Sequence, residues 1–356
     1  MSSRFLLISN MYPGNQTPSF GIFVQNIETG MVKAGLDVKR TVISGKSKSK
    51  FIKLFDYALF LARAFCSLMF TKRTIYIHFI AHTAIPLLIM SMFRKFKVVA
   101  HVHGGDVIPT KNDARITGQI KRKLAQKTLS LSEKVIVPSH WMSAYLQREF
   151  GVSPNKVFVS PSGGISTETF YPEQTTSFTR PVRFGYIGRL DSGKGVDTML
   201  KAMALVDFEF ECEIVGTGKQ AQLLVNLSNE LGLDTKVTFT GEVAHADLRK
   251  HYLACDFFIF PSELQESLGL VGLEAMACGK PVIGSGIAGM GDYLKSGING
   301  MQFSAGESTS LAPVLSRANE ISQQLFEDMS ANALDTAKQF DARKVNSELV
   351  TILRSI

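Results

Sequence analysis

The chain has few cysteines. Cys66, Cys212, Cys255 and Cys278 are the only four thiols in 356 residues, with no CxxC pair and no accompanying histidine cluster. That excludes a disulfide-stapled scaffold or a zinc ribbon and points to a reducing compartment. Long hydrophobic runs are also missing. Residues 54–70 are interrupted by Asp56 and Arg63, and residues 81–93 stop short of the ~20 needed to cross a bilayer. The opening MSSRFLLISNMYPG has too short an apolar run for a secretory h-region and reads as a first strand. No 20–50-residue period recurs, and GKSKSKF at 45–51 is the one low-complexity tract, so a solenoid is excluded.

What is present is ordinary globular composition, 45% hydrophobic and 20% charged, which rules out general disorder. At this length two cores are expected. The +8 net charge favours phosphate-bearing or membrane-surface partners, and nothing in the pattern indicates nucleic acid. Short apolar runs at RFLLIS, RTIYIHF, FKVVAHV and KVIVPS alternate with helical patterns. After a polar stretch at 173–180 the rhythm restarts with RFGYIGR, FECEIVG, KVTFTG, DFFIFPS and KPVIGS. Such alternation predicts two α/β domains, each a doubly wound parallel sheet, over residues 1–173 and 174–335. Ligands of such sheets bind beyond the carboxyl ends of the strands.

GRLDSGKG at 188–195 joins a predicted strand to a predicted helix. Its glycines let backbone amides approach an anion, and Arg189 and Lys194 add positive charge, so the turn suits phosphate. It nearly spells a Walker A loop, but Gly195 stands where the Mg²⁺-binding hydroxyl belongs, which argues against an NTPase. GTGKQA at 216–221 matches the GxGxxA of dinucleotide-binding proteins, yet follows the second strand of its domain rather than the first. It reads better as a tight turn than as a nicotinamide site.

In FFIFPSELQESLGLVGLEAMACGKPVIGS, residues 257–285, a buried strand gives way to a helix starting near Leu270. Glu266 and Glu274 bracket that start. In one continuous helix they would be about 12 Å apart along the axis and would face different directions. With Glu266 in the loop and Glu274 in the helix, one can reach a sugar while the other reaches a ribose. The amides of Ser267, Leu268, Gly269, Leu270 and Val271 would then point at an anion. Glu274 lies among apolar neighbours and needs a partner. HVHGGDV at 101–107 places His101, His103 and Asp106 at a strand end, where a histidine can touch a substrate hydroxyl. With no further ligand cluster visible, a metal is not expected there. His78, His82, His140, His245 and His251 are given no role.

Taken together, these segments resemble the family 4 retaining glycosyltransferases with the GT-B fold, over nearly the whole chain. The residues that carry the resemblance are YPGNQTPSFGIFV at 12–24, HGGD at 103–106, GRLDSGKG, IVGTG at 214–218, and ESLGLVGLEAMACGKPVI with its two glutamates eight apart. Ser162, Gly163 and Gly164 replace an expected Asn-Gly. The resemblance implies two Rossmann-like domains facing across a cleft, with residues 336–356 a helix packing back on the first. It implies that Arg189 and Lys194 bind the donor diphosphate, Glu274 the ribose, and Glu266 and His103 the transferred sugar. Gly21 would let amides near the phosphate. No cofactor and no metal are implied, only a nucleotide-sugar donor and a glycan acceptor of the lipid-linked kind.

Residues 46–73 mix Lys and Arg with Phe, Leu and Tyr. They read equally well as a core-facing helix or as an anionic-membrane contact; the resemblance favours the membrane and a cytoplasmic enzyme, peripheral on the inner face. A nucleotide-sugar epimerase and a non-catalytic nucleotide-sugar binder are the rivals.

Overall fold

The computed structural model describes residues 3–17, 20–46, 49–109, 115–173, 178 and 180–356. Most of the expected linker at 173–180 and parts of the 12–24 and 45–51 motifs lie outside those residues. Two compact units divide the chain: Met1–Gly164 with Arg343–Ile356, and Ile165–Ala342. The sequence reading placed the corresponding borders at 173/174 and 335/336.

Unit 1 runs β1 (Arg4–Tyr12), α1 (Ile22–Lys33), β2 (Asp37–Ser44), α2 (Lys50–Phe70), β3 (Thr74–His78), α3 (Ala84–Ser91) and β4 (Val98–His101). It continues through α4 (Arg115–Leu131), β5 (Lys134–Val137), α5 (His140–Phe150) and β6 (Val157–Val159). The six strands are parallel in the order β2-β1-β3-β4-β5-β6. Alternate strand residues feed two cores, because side chains switch faces at every step. Leu6, Ile8, Ile75 and Ile77 meet Phe60 of α2, Leu87 of α3 and Leu129 of α4 on one face. Phe5, Leu7 and Tyr76 meet Val24 and Ile27 of α1 on the other, together with Leu349, Val350 and Leu353 from the C-terminus.

Unit 2 runs β7 (Val182–Ile187), α6 (Val196–Met203), β8 (Phe210–Val215), α7 (Ala221–Glu230), β9 (Val237–Gly241), α8 (Leu248–Ala254) and β10 (Phe257–Phe260). Then come α9 (Leu270–Ala277), β11 (Val282–Gly284), β12 (Gly300–Gln302), α10 (Ser308–Glu320) and α11 (Gln323–Gln339). A last helix, α12 (Ala342–Arg354), belongs to unit 1 from Arg343 onward. The sheet is again parallel, ordered β12-β11-β10-β7-β8-β9. Each unit is thus a doubly wound α/β sheet, as the sequence pattern predicts.

Three strands had no counterpart among the predicted runs: β2, β6 and β12. All three are sheet edges. An edge strand is covered less completely, so DVKRTVIS can alternate polar and apolar residues, while VFV and GMQ are too short to register as runs.

The order of winding reverses between β1 and β3 in unit 1 and between β7 and β10 in unit 2. The β7–β10 seam is tied at its lower end by Asp256, which is buried. Its Oδ2 accepts the Arg183 backbone N–H at 2.8 Å, and its Oδ1 accepts the Arg183 guanidinium at 2.8 Å. Replacing Asp256 by Ala strands a backbone donor and a guanidinium at once. We expect Asp256→Ala to lower the unfolding free energy by about 2 kcal/mol, read as an earlier urea midpoint; an unchanged midpoint would refute this role.

Candidate functional site

The loops that follow β7 and β10 lie where winding runs in opposite directions, the switch point at which open α/β sheets bind ligands. Gly195 caps α6 at φ 72°, and a Cβ there would stand 1.9 Å from the Pro261 carbonyl oxygen. Only glycine lets the phosphate-type loop press against the loop after β10. That contact seats Lys194 beside Glu266, with Nζ 2.6 Å from Oε1 and both side chains largely covered. Ser262 donates to the same oxygen at 2.7 Å. The Glu266 carbonyl in turn accepts from Gly289 at 2.9 Å, which pins the loop from behind.

As expected, Glu266 lies in the loop and Glu274 inside α9, which begins at Leu270 with Gly269 as its cap. Ser267 and Leu268 precede that cap, and Leu270 and Val271 open the helix; their amides fall where a helix has no acceptors of its own. Glu274 is buried and has partners. Tyr252 donates to its Oε2 at 2.8 Å, and His245 Nε2 lies 3.2 Å from Oε1. That hydrogen bond, more than the opposing burial, raises the His245 pKa above its usual value. Tyr252 stays a hydroxyl donor, since burial and the Glu274 charge push its pKa well up.

Arg189 does not join Lys194 at Glu266. Its guanidinium is mostly exposed and pairs with Asp191 at 3.0 Å. The glycines of GTGKQA have a local duty: Gly218 packs on the Leu190 carbonyl, where a Cβ would come within 2.3 Å. The hydrogen bonds Leu190 N–H to Thr217 O and Gln220 N–H to Leu190 O, both 2.9 Å, complete the junction. That tight turn braces the 188–195 loop.

In unit 1, Gly21 caps α1 at φ 73° beside the end of β1. His103 lies at the end of β4. The expectation that His101 and His103 had no third ligand-type neighbour is overturned, because β3 pairs with β4 in a register that sets His78 opposite His101. His78, His101 and His103 offer ring nitrogens within 4.8 Å of one another. Their ring planes are tilted by only 12–27°. Nearly parallel planes hold lone pairs side by side, whereas zinc ligands converge on one point from about 2.0 Å.

Burial lowers all three pKa values, that of His101 to about 3, so the cluster is neutral near pH 7. His78 Nδ1 and His103 Nε2 are 2.9 Å apart. His78 Nε2 is buried with no partner. A buried N–H without an acceptor is the costlier orphan, so the His78 hydrogen belongs on Nδ1, donating to His103 Nε2. His103 then carries its own hydrogen on Nδ1. Asp106 accepts from the amides of His103 at 3.1 Å and Ile80 at 3.2 Å, which holds the glycine turn against the end of β3. Burial raises its pKa to about 6.

His78, His245, Tyr252 and Ser262 were not singled out in the sequence. Each lies on a different element from the residue it supports or, for Ser262, gives no pattern of its own.

The family model "Glycosyl transferases group 1" matches residues 167–335, and "Glycosyltransferase Family 4" matches residues 37–164. Together these cover most of the chain, which belongs to the family 4 glycosyltransferases. An uncharacterised glycosyltransferase of Methanocaldococcus jannaschii is 26% identical over 281 residues, covering 76% of this chain and 74% of that one. The sucrose-phosphate synthase of Thermosynechococcus elongatus superposes with a TM-score of 0.80 at 20% identity, over 99% of this chain and 98% of that one. Anabaena HepE, solved in complex with UDP-glucose, gives 0.75 at 21%, over 99% and 100%.

Two outcomes test the geometry. His245 should titrate above its usual 6.5, and Glu274→Gln should bring it down, as read by histidine NMR. Because its folded pKa is raised, the pair's contribution is complete below pH 6.5 and fades as pH rises through the folded value. For the second, ¹⁵N-histidine spectra should show His103 as the Nδ1–H tautomer, and His78→Phe should release that preference while His78→Asn, which keeps a donor, preserves it. A His103 signal of the Nε2–H form in the parent protein contradicts the assignment.

Proposed function

We propose that this glycosyltransferase is a retaining, metal-independent enzyme that moves a hexosyl group from a UDP-sugar or GDP-mannose type donor to a glycan acceptor. The observation that supports this reading best is the Lys194–Glu266 pair, set beside the amides that open α9. A cation and helix-start N–H groups together suit a diphosphate leaving group, and a carboxylate alongside suits the positive charge that develops on the sugar.

In this reading Lys194, with Arg189 rotating from Asp191, neutralises the diphosphate as its bond to the sugar breaks. Gly21 allows close backbone approach to the phosphate. Glu274 accepts the ribose hydroxyls, and Glu266 orients the sugar without acting as a nucleophile. His103 donates from Nδ1 to a sugar hydroxyl. The acceptor hydroxyl attacks from the face the diphosphate leaves, passing its proton to a phosphate oxygen, so configuration is retained. HepE's bound UDP-glucose supports a uridine nucleotide as the first donor to test.

We take the acceptor to be a lipid-linked oligosaccharide of bacterial surface polysaccharide synthesis, met at the cytoplasmic side of the membrane. No helix among the described residues is long and apolar enough to cross a membrane.

A thermal-shift panel of nucleotide sugars should give a nucleotide-selective rise that EDTA leaves intact. Lys194→Ala should weaken nucleoside diphosphate binding about 10- to 100-fold. Glu266→Gln should leave that binding intact and lower transfer at saturating donor. Glu274→Ala should weaken the nucleoside diphosphate but not pyrophosphate. Unchanged diphosphate affinity in a folded Lys194→Ala protein defeats the phosphate assignment; donor turnover without acceptor would favour an epimerase.

A further inference from the structure

The outer faces of α2, α3 and α4 carry the features of a membrane-docking surface. All three helices cover the same side of the unit 1 sheet, with Phe60 and Leu68, Leu87 and Met90, and Ala125 and Leu129 turned into one core. The apolar requirement of α2 is thus met on its inner face. Its outer face is apolar as well: Phe51 is 86% exposed, Leu54 72%, Phe55 67% and Phe70 81%. The two sequence readings of residues 46–73 were a core-facing helix and a surface contact; the helix has a face for each.

The patch continues past α2. Arg94 donates to the carbonyls of Leu68 and Thr71, tying the segment after α3, which carries the exposed Met92 and Phe93, to the end of α2, which carries the exposed Phe70. Among the described residues, 14 of the 21 exposed large apolar side chains fall between residues 50 and 131. A soluble surface scatters such residues, so this concentration calls for a covering partner.

Charge identifies the partner. Residues 50–131 hold 14 Lys and Arg against 3 Asp and no Glu, a net +11, while the whole chain is +8. All of the excess positive charge therefore lies in this segment, and the rest is net negative. Exposed Lys53 on α2, Lys123 and Lys127 on α4, and Lys72 and Lys95 in the connections after α2 and α3 share this segment with the apolar side chains. A second copy of the chain would bring +11 against +11. A surface of anionic headgroups over acyl chains matches both properties, and a helix of 21 residues, about 30 Å long, can lie along it.

We propose that the α2–α3–α4 face docks unit 1 on an anionic lipid bilayer, with Phe51, Leu54 and Phe55 entering the headgroup–acyl boundary. This rests on the reading that the acceptor is lipid-borne, and gives that acceptor a fixed side of approach.

The test is co-sedimentation of the full chain with phosphatidylcholine vesicles, with and without about 30 mol% phosphatidylglycerol. Binding should require the anionic lipid and weaken as salt rises. The Phe51→Glu/Leu54→Glu/Phe55→Glu variant should bind at least about 10-fold more weakly while keeping its melting temperature and nucleotide-sugar thermal shift. Equal binding by parent and variant, or no vesicle binding with concentration-dependent self-association instead, overturns the proposal. Transfer to a water-soluble acceptor without vesicle binding would sink this surface and leave the transferase reading standing. Vesicle binding without any nucleotide-sugar shift would do the reverse.

Discussion

Parallel strands can be joined only by crossovers, and with crossovers of one hand an open sheet gains helices on both faces only where its winding reverses, at an interior seam. That seam decides which loops become neighbours, and the rest of the site depends on it. In unit 2 the seam lies between β7 and β10, so the loops that meet there are separated by some 70 residues in sequence. Gly195 packs on Pro261 there, and the Lys194–Glu266 contact follows from it. In unit 1 Gly21 follows β1 at the equivalent seam, and the neighbouring β3–β4 pairing brings His78 and His103 together.

Two kinds of residue surround the proposed chemistry. Lys194, Glu266 and Glu274 present charge, and each motif that contains them has a recognisable spacing. Their supports are of another kind. Tyr252 and His245 compensate the burial of Glu274, Ser262 shares the Glu266 oxygen with Lys194, and His78 fixes the ring of His103 through one hydrogen bond. These supports set orientation and protonation, and a carboxylate or imidazole without them would be free to turn.

The outer layer of unit 1 shows how one helix can serve two environments. The inner face of α2 stabilises the sheet, while its outer face, with those of α3 and α4, combines large apolar side chains with nearly uniform positive charge. Neither property alone specifies a partner. Their coincidence favours a surface that is anionic outside and apolar beneath.

The sequence alone determined the alternation of strands and helices, the two-unit plan, the loop position of Glu266 and the helix start near Leu270, because these follow from local periodicity and turn chemistry. The glycine-rich motifs were equally visible. Tertiary structure alone decided which residues stand next to them. The edge strands β2, β6 and β12 were missed because partial cover relaxes the apolar pattern. The third histidine beside His101 and His103 comes from strand register, and the partners of Glu274 from elements 22 and 29 residues away; neither leaves a periodic mark. Only exposure in the folded chain separates the two faces of α2, since a helix with large apolar residues on both faces has the same sequence pattern whether its second face is buried by protein or left for something else to cover.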